Sequence, residues 1–247
     1  MIPKTIHYCW FGDKKLSPLA KKCIRSWQKY FPNYEIKMWN ESNFDVNIIP
    51  YTEEAYKTKR YAFVSDYARY WILYNYGGIY FDTDVEVLKS MSVILDKGSY
   101  MGFESSVGSE TLYVNAGLGM AVEAGNSFLK EMLDIYSKLH FINSDGSHNL
   151  KSIVKYTSEV LVAKGLVETN EVQKICGIYI YPKEYFNPYN YSTKKFEITD
   201  KTYTIHYFAG SWITRKERFM KWIEAHLGKW CVDVIHATYT RIIKKRI

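Results

Sequence analysis

Cysteine is scarce in this chain of 247 residues, and its four copies, Cys9, Cys23, Cys176 and Cys231, are scattered. No two of them form a CxxC pair, which argues against a structural zinc site. Scattered thiols also predict a reducing compartment rather than a disulfide scaffold. The sequence lacks an apolar run near the roughly 20 residues that a membrane span needs, and it opens on a strand-like segment rather than a signal peptide. We therefore expect a cytoplasmic protein, or one on the inner face of a membrane.

Negative charge is in the minority, and the positive excess is uneven. The formal net charge is +7, and residues 213–247 carry nine Lys or Arg against three Asp or Glu, which is +6 of it. Because Trp, Tyr and aliphatic residues lie between these charges, the segment is typical of basic amphipathic helices that contact anionic membranes. A solvated basic face, or helices packed on the rest of the chain, is equally open. Nucleic acid is not an expected partner, since no nucleic-acid-binding motif occurs.

The remaining chain alternates between strand-like and helix-like segments. The strand-like ones are residues 5–10, 34–39, 79–81, 100–104, 115–121, 177–181 and 203–208, and the helix-like ones are 18–30, 52–76, 126–139 and 149–164. This alternation predicts an α/β fold with a mostly parallel sheet flanked by helices. We expect one domain over residues 1–212, with 213–247 as a helical extension. In such sheets ligands lie beyond the carboxyl ends of the strands.

An acidic triplet, Asp82-Thr83-Asp84, comes directly after the strand-like segment 79–81. A DxD triplet alone is weak evidence, but here a Gly77-Gly78 turn and a short apolar strand precede it. Carboxylate oxygens suit Mg²⁺ or Mn²⁺, which also bind substrate phosphates. Such an ion would neutralise a diphosphate leaving group. The triplet therefore predicts a metal-assisted site for a nucleoside diphosphate.

Asp66 and Arg69 are three residues apart on a predicted helix and so share one of its faces. They are interpreted either as a surface ion pair of little energetic value or as functional groups. In the functional interpretation Asp66 accepts hydrogen bonds from donor hydroxyls, and the planar fork of Arg69 binds a carboxylate or diphosphate.

Three further polar residues lie on or beside predicted strands. His206 precedes a glycine and a Ser-Trp pair, which favours a functional role. Asn115 presents an amide to sugar or acceptor, or else caps a turn. For His7 a structural role is favoured over a substrate contact. The 23 tyrosines either fill half-buried strand positions or line a sugar and nucleobase site.

The joint pattern resembles a known family. It comprises Pro3-Lys4-Thr5-Ile6-His7 with Trp10, then Ser65-Asp66 with Arg69, then Gly77-Gly78-Ile79-Tyr80 running into Asp82-Thr83-Asp84, and a late His206 with Gly210-Ser211-Trp212. These segments are similar to those of glycosyltransferase family 32, whose members carry a DxD sugar-binding region. The family includes bacterial capsular-polysaccharide transferases and yeast mannosyltransferases. The clostridial glucosylating toxins share its core.

The resemblance implies a GT-A fold, a Mn²⁺ or Mg²⁺ cofactor and transfer with retention by front-face attack. It implies a catalytic group of Asp66, Arg69, Asp82 and Asp84, and a metal site formed by Asp82, Asp84 and His206. Residues placed near the donor or acceptor are Thr5, His7, Trp10, Tyr80, Asn115, Ser211 and Trp212. Among these, the strand end at Trp10 would flank the nucleobase, and Ser211 with Trp212 would close over the diphosphate.

The function we expect is transfer of a sugar from a nucleotide-diphosphate sugar, UDP favoured, to a glycan or a polyisoprenyl-diphosphate-linked saccharide, in capsule or exopolysaccharide synthesis. No second carboxylate is obviously placed as a dedicated base or nucleophile, as a glycoside hydrolase would need. A nucleotidyltransferase is the alternative enzyme, but it would be expected to carry a glycine-rich phosphate loop after its first strand. A carbohydrate-binding module is the non-enzymatic alternative, for which a carboxylate pair beside Arg69 would be costly and without purpose.

Overall fold

The computed structural model describes residues 1–105 and 111–210. Residues Met1–Phe208 form one compact unit. Ser211, Trp212 and the predicted helices of 213–247 lie outside the described residues, so the boundary at 212, the roles of these two side chains and the membrane contact stay predictions. Among the helices that are described, none has the length and apolar character needed to cross a membrane.

Short helices and strands alternate along the chain. The strands are β1 (Thr5–Cys9), β2 (Glu35–Trp39), β3 (Gly78–Tyr80), β4 (Val85–Val87), β5 (Tyr100–Ser105), β6 (Leu112–Asn115), β7 (Met120–Val122), β8 (Gln173–Ile175), β9 (Ile178–Tyr181), β10 (Tyr189–Asn190), β11 (Lys195–Phe196) and β12 (Thr204–His206). The helices are α1 (Pro18–Tyr30), α2 (Pro50–Lys57), α3 (Tyr61–Tyr76), α4 (Ser92–Lys97), α5 (Ser127–Tyr136), α6 (Ile153–Ala163) and α7 (Lys183–Phe186).

The central sheet has the strand order β2-β1-β3-β7-β5-β9-β8, with β6 paired to β5. The pairs β1–β2, β1–β3 and β5–β9 are parallel, whereas β7 runs antiparallel to both β3 and β5. In the described sheet β1, β2, β3, β5 and β9 therefore share one direction, against β6, β7 and β8. Buried residues form two apolar clusters. This is a mixed, mostly parallel α/β sheet, as the sequence predicts.

The helix-like segment 52–76 forms two helices, α2 and α3. Gly77 and Gly78 end α3 with positive φ angles of 62° and 100°. A Cβ on Gly78 would lie 2.6 Å from the carbonyl oxygen of Thr5. Only glycine fits this close approach, and so the turn delivers β3 directly alongside β1.

One predicted strand is wrong. Residues 115–121 are not a single strand, because β6 ends at Asn115 and β7 begins only at Met120. Between them the chain turns, and Gly119 has a φ of 126°, outside the range of extended L residues. This turn, residues 115–119, lies beside the residue that follows β3, since Met120 pairs with Tyr80.

A separate two-stranded ribbon pairs β12 with β4. Helix α1 supports it: the buried Trp27 donates its indole N–H to the carbonyl of Val85 at 2.8 Å. Ser26 accepts the backbone N–H of Val87 at 2.9 Å. These contacts hold the chain that leaves the acidic triplet in a defined direction.

Candidate active site

The acidic triplet lies at the carboxyl end of β3, where the sequence places a ligand. The backbone N–H of Asp82 donates to the carbonyl of Gly117 at 3.2 Å, and the N–H of Val85 donates to the carbonyl of Asp82 at 3.0 Å. The two carboxylates have different protein partners: that of Asp82 contacts Arg69, and that of Asp84 contacts His206. The chain turns between the two residues, as the bond from the Val85 N–H to the Asp82 carbonyl shows, and this turn separates two side chains that an extended strand would place on the same face.

Arg69 joins two carboxylates. Its Nη2 lies 3.0 Å from Oδ1 of Asp66 and 3.2 Å from Oδ1 of Asp82. The side chains of Arg69 and Asp66 are only 5% and 12% exposed. The interpretation of this pair as a surface salt bridge is therefore wrong, because both side chains are buried and Arg69 contacts Asp82 and Tyr80.

The charges of this cluster are strongly coupled. Burial raises the pKa of Asp66 to about 6 against the opposing effect of Arg69, and the charge of Asp82 adds to the rise. Burial opposes the charge of Arg69 as well, but Asp82, Tyr80 and Asp66 raise its pKa overall, so the guanidinium stays protonated. The single guanidinium of Arg69 thus pairs with the carboxylates of both Asp66 and Asp82. The three side chains together have an excess of negative charge.

Tyr80 contacts both Asp82 and Arg69. Its hydroxyl donates to Oδ1 of Asp82 at 3.2 Å, and the guanidinium carbon of Arg69 lies 4.9 Å from the centre of its ring. The side chain is 1% exposed. Its contacts therefore orient Arg69 and Asp82 rather than reach into solvent.

The register of the ribbon brings His206 to Asp84. His206 pairs with Val85, and the N–H of Tyr207 donates to the carbonyl of Asp84 at 3.0 Å. Nε2 of His206 then lies 3.0 Å from Oδ1 of Asp84. Burial lowers the pKa of His206, but the charge and hydrogen bond of Asp84, together with Asp82 and Glu104, outweigh burial and raise it.

Glu104, which the sequence analysis did not single out, belongs to the same cluster. It is the penultimate residue of β5, is 9% exposed, and accepts a 2.7 Å hydrogen bond from Nδ2 of Asn115. Burial raises its pKa, while Asn115 and His206 oppose that rise. A carboxylate on an otherwise apolar strand was the available sequence signal. Glu104 thus adds a carboxylate to the cluster, while the expectation that no second carboxylate serves as a dedicated base or nucleophile stays a prediction.

Three predicted substrate residues lie elsewhere or have protein partners. His7 is 2% exposed; its Nδ1 accepts from the indole of Trp39 at 3.1 Å, and its Nε2 lies 3.0 Å from the carbonyl of Gly77. These contacts fit the structural role. Thr5 begins β1, at the amino end, opposite the edge that carries Asp82. Trp10 follows the carboxyl end of β1 and donates its indole N–H to the carbonyl of Lys14 at 2.6 Å.

Comparison with known proteins agrees with this geometry. Residues 17–101 match the family described as "glycosyltransferase sugar-binding region containing DXD motif". This match supports a DXD glycosyltransferase family for the chain. An uncharacterized glycosyltransferase of Acanthamoeba polyphaga mimivirus is 26% identical over 227 residues, which cover 86% of this chain and 84% of the viral protein.

Two further relatives of this chain come from Schizosaccharomyces pombe. They are inositol phosphoceramide mannosyltransferases 1 and 3, which are 29% and 33% identical over 40% and 38% of the chain. The matched segments span only 33% and 27% of these yeast proteins. These relatives favour the transferase interpretation over the nucleotidyltransferase and the binding module.

Solved structures show the fold. The PaToxG glycosyltransferase superposes with a TM-score of 0.50 at 18% identity, covering 66% of this chain and 70% of its own. A glycosyltransferase involved in glycosylation of the major capsid of PBCV-1 superposes with a TM-score of 0.51 at 14% identity, covering 89% of this chain and all of its own. The predicted GT-A fold of the DXD glycosyltransferase is thereby confirmed.

The side chains of the site fit a divalent cation only in part. In residues 1–105 and 111–210, no three His, Cys, Asp or Glu side chains converge to hold an ion. Asp84 and His206 supply two groups of the right kind, and Nδ1 of His206 is buried with no hydrogen-bond partner among the described residues. The acids Asp66, Asp82, Asp84 and Glu104 outnumber the cations Arg69 and His206, so added positive charge would stabilise the site. Mg²⁺ in proteins commonly has one or two carboxylates and completes its shell with substrate phosphates and water.

Proposed function

We propose that this DXD glycosyltransferase moves a hexose from a nucleotide-diphosphate sugar, with UDP favoured, to a hydroxyl of a glycan or lipid-linked saccharide, with retention at the anomeric carbon. The observation that carries the proposal is the pair of adjoining clusters at the carboxyl end of β3. One is Asp66–Arg69–Asp82, and the other is Asp84–His206.

Asp84 and His206 would hold Mn²⁺ or Mg²⁺, with Asp82 on the adjacent side. Such an ion, when bound, neutralises the diphosphate and improves it as a leaving group. Asp66 and Asp82, held by Arg69, present acceptor oxygens for ribose or sugar hydroxyls. Because Arg69 already orients them, these carboxylates bind the donor without reorganising. The proton of the attacking hydroxyl passes to an oxygen of the departing diphosphate, as front-face attack requires.

The proposed acceptor class follows the names of the yeast relatives. The yeast relatives are named for mannose transfer to inositol phosphoceramide, a lipid with a polar headgroup. A saccharide carried on a lipid, such as a polyisoprenyl diphosphate, belongs to the same broad class and would suit capsule or exopolysaccharide synthesis. By the same names GDP-mannose is the main alternative to a UDP-sugar.

The test uses the purified chain with a panel of UDP- and GDP-sugars. Release of free nucleoside diphosphate that requires Mn²⁺ or Mg²⁺ is the expected result, and ¹H NMR of the product gives its anomeric configuration. Thermal stabilisation by UDP or GDP should also need the ion. A protein that neither binds either nucleotide with Mn²⁺ nor cleaves any donor would contradict the proposal, and an inverted product would contradict retention alone.

A further inference from the structure

Glu104 is a buried carboxylate with an uncharged partner. Within the described part of the chain its hydrogen bond comes from the Asn115 amide rather than from a Lys or Arg. Leaving a carboxylate in such a place costs free energy. Packing alone does not explain a carboxylate at this position. The second contact of Asn115, with the backbone of Gly117, indicates its role.

The Asn115 amide is engaged at both ends. Its Nδ2 donates to Glu104 at 2.7 Å, and its Oδ1 accepts the backbone N–H of Gly117 at 2.6 Å. An amide that rotated by 180° would face Gly117 with a donor. Because Glu104 only accepts when ionised, it selects the orientation in which the amide oxygen meets Gly117.

Gly117 in turn contacts both the backbone and the carboxylate of Asp82. Its carbonyl accepts the Asp82 N–H at 3.2 Å. A Cβ at position 117 would lie 2.1 Å from Oδ2 of Asp82 and 3.0 Å from Nη1 of Arg69. The backbone at Gly117 therefore packs directly against the Asp82 carboxylate. A small shift of this turn would move that carboxylate.

We propose that Glu104 is a positioning residue, which acts through Asn115 and Gly117 to set the orientation of the Asp82 carboxylate toward the donor. The inference rests on the proposed function for its catalytic consequence. It requires a hydrogen-bond acceptor at position 104 and does not require a negative charge. A nucleophilic or charge-stabilising role would require the carboxylate itself, so the two roles separate by substitution.

The experiment compares Glu104→Gln with Glu104→Leu. The Gln side chain can still present an amide oxygen to Asn115, so turnover should stay within about threefold of wild type. The Leu variant leaves the Asn115 amide without its acceptor, and turnover should fall by about tenfold to a hundredfold, as misplacement of a reactive group does. If Gln is as inactive as Leu, the positioning role is wrong and the charge of Glu104 is what matters.

A second set of variants tests the proposal even if the Leu variant does not fold. Asn115→Asp places two carboxylates against each other and should lower turnover. Adding Glu104→Gln restores one donor and one acceptor between the two positions, and the double variant should recover at least tenfold over Asn115→Asp. No recovery would overturn the proposal.

Hydrogen exchange of the backbone gives a readout that needs no activity. Protection of the amides of Gly117 and Asp82 should fall in Glu104→Leu and in Asn115→Asp, and return in Glu104→Gln and in the double variant. If wild type shows no turnover but these exchange effects occur, the proposed function fails while the positioning network stands. Unchanged protection in Asn115→Asp would refute the network itself.

Discussion

Nε2 of His206 lies 3.0 Å from Oδ1 of Asp84, although the two residues are 122 positions apart in the chain. The ribbon of β4 and β12 creates this contact, because its register sets His206 opposite Val85. Lys22 reinforces the ribbon from α1 through hydrogen bonds to Glu86 at 2.7 Å and to the Tyr207 hydroxyl at 2.8 Å. The pair is thus built by backbone pairing rather than by a flexible loop.

Asp84→Ala is expected to lower metal-dependent nucleoside diphosphate release by at least about a hundredfold, the scale of losing a preorganised electrostatic group. The fold should survive, because Asp84 ends no helix or strand. Initial rates with Mn²⁺ and far-UV circular dichroism check the two statements. Asp134→Ala is the matched control, since this carboxylate on α5 is 55% exposed and pairs with Lys130. Full activity in Asp84→Ala would refute a metal role for this residue.

Arg69→Met should destabilise the fold by about 3–5 kcal/mol, because it leaves Asp66 and Asp82 without their shared buried cation. Urea unfolding gives the free energy of unfolding. Arg25→Met is the control, since Arg25 is exposed on α1 and should change stability by no more than about 0.5 kcal/mol. Equal stability of both variants would mean that the buried ion pairs do not stabilise the site.

Gly117→Ala should lower turnover strongly while it leaves most of the fold intact, since the added methyl would lie 2.1 Å from the Asp82 carboxylate. Gly146→Ala is the control variant, because it introduces backbone strain without a steric clash. Gly146 has a φ of 80° but no atom within 4 Å of an added Cβ, so its alanine variant should lose about 1 kcal/mol of stability and keep its activity. Turnover and thermal unfolding of the two variants provide the comparison, and an active Gly117→Ala enzyme would contradict it.

Acidification should destabilise the protein through His7. Burial lowers the pKa of His7 from 6.5, the ordinary value of a histidine, to about 4, with the Gly77 carbonyl opposing this effect and Lys37 adding to it. The unfolded state therefore binds more protons between these pH values, and stability falls as pH drops from 6.5 to about 4. The His7 contribution lost is about 3 kcal/mol.

Two measurements check this pH dependence. The ring C–H resonance of His7 in ¹H NMR should titrate near pH 4. In urea unfolding, His7→Gln should show a shallower fall of stability over the same pH range. A His7 resonance that titrates near 6.5 would show that burial does not perturb the ring.

Part of the site follows from the sequence because its signals are local. Three signals are consecutive in the chain: the Gly77-Gly78 turn, the short apolar strand and the acidic triplet. The hydrophobic pattern and the turn residues therefore predict that Asp82 lies at a strand end. Helix α5 begins where expected, with the Asn126 side chain accepting the N–H groups of Phe128 and Leu129. The spacing of Asp66 and Arg69 likewise predicts one shared helix face.

Other features depend on contacts that local patterns do not encode. The spacing of Asp66 and Arg69 leaves open whether their shared helix face is exposed, and only long-range packing buries the pair and brings it to Asp82. The turn at 115–119 and the Glu104–Asn115 pair arise where β5, β6 and β7 meet at the edge beside Asp82.

The sequence by itself determined the α/β class, the bounds of helix α1 and the position of the acidic triplet at the end of a strand, because hydrophobic period and glycine conformation act between near neighbours. Only the tertiary structure decided that Arg69 bridges two acids, that His206 meets Asp84 and that Glu104 faces the same cluster. These contacts depend on strand order and register, which are set by the packing of distant segments into a common core.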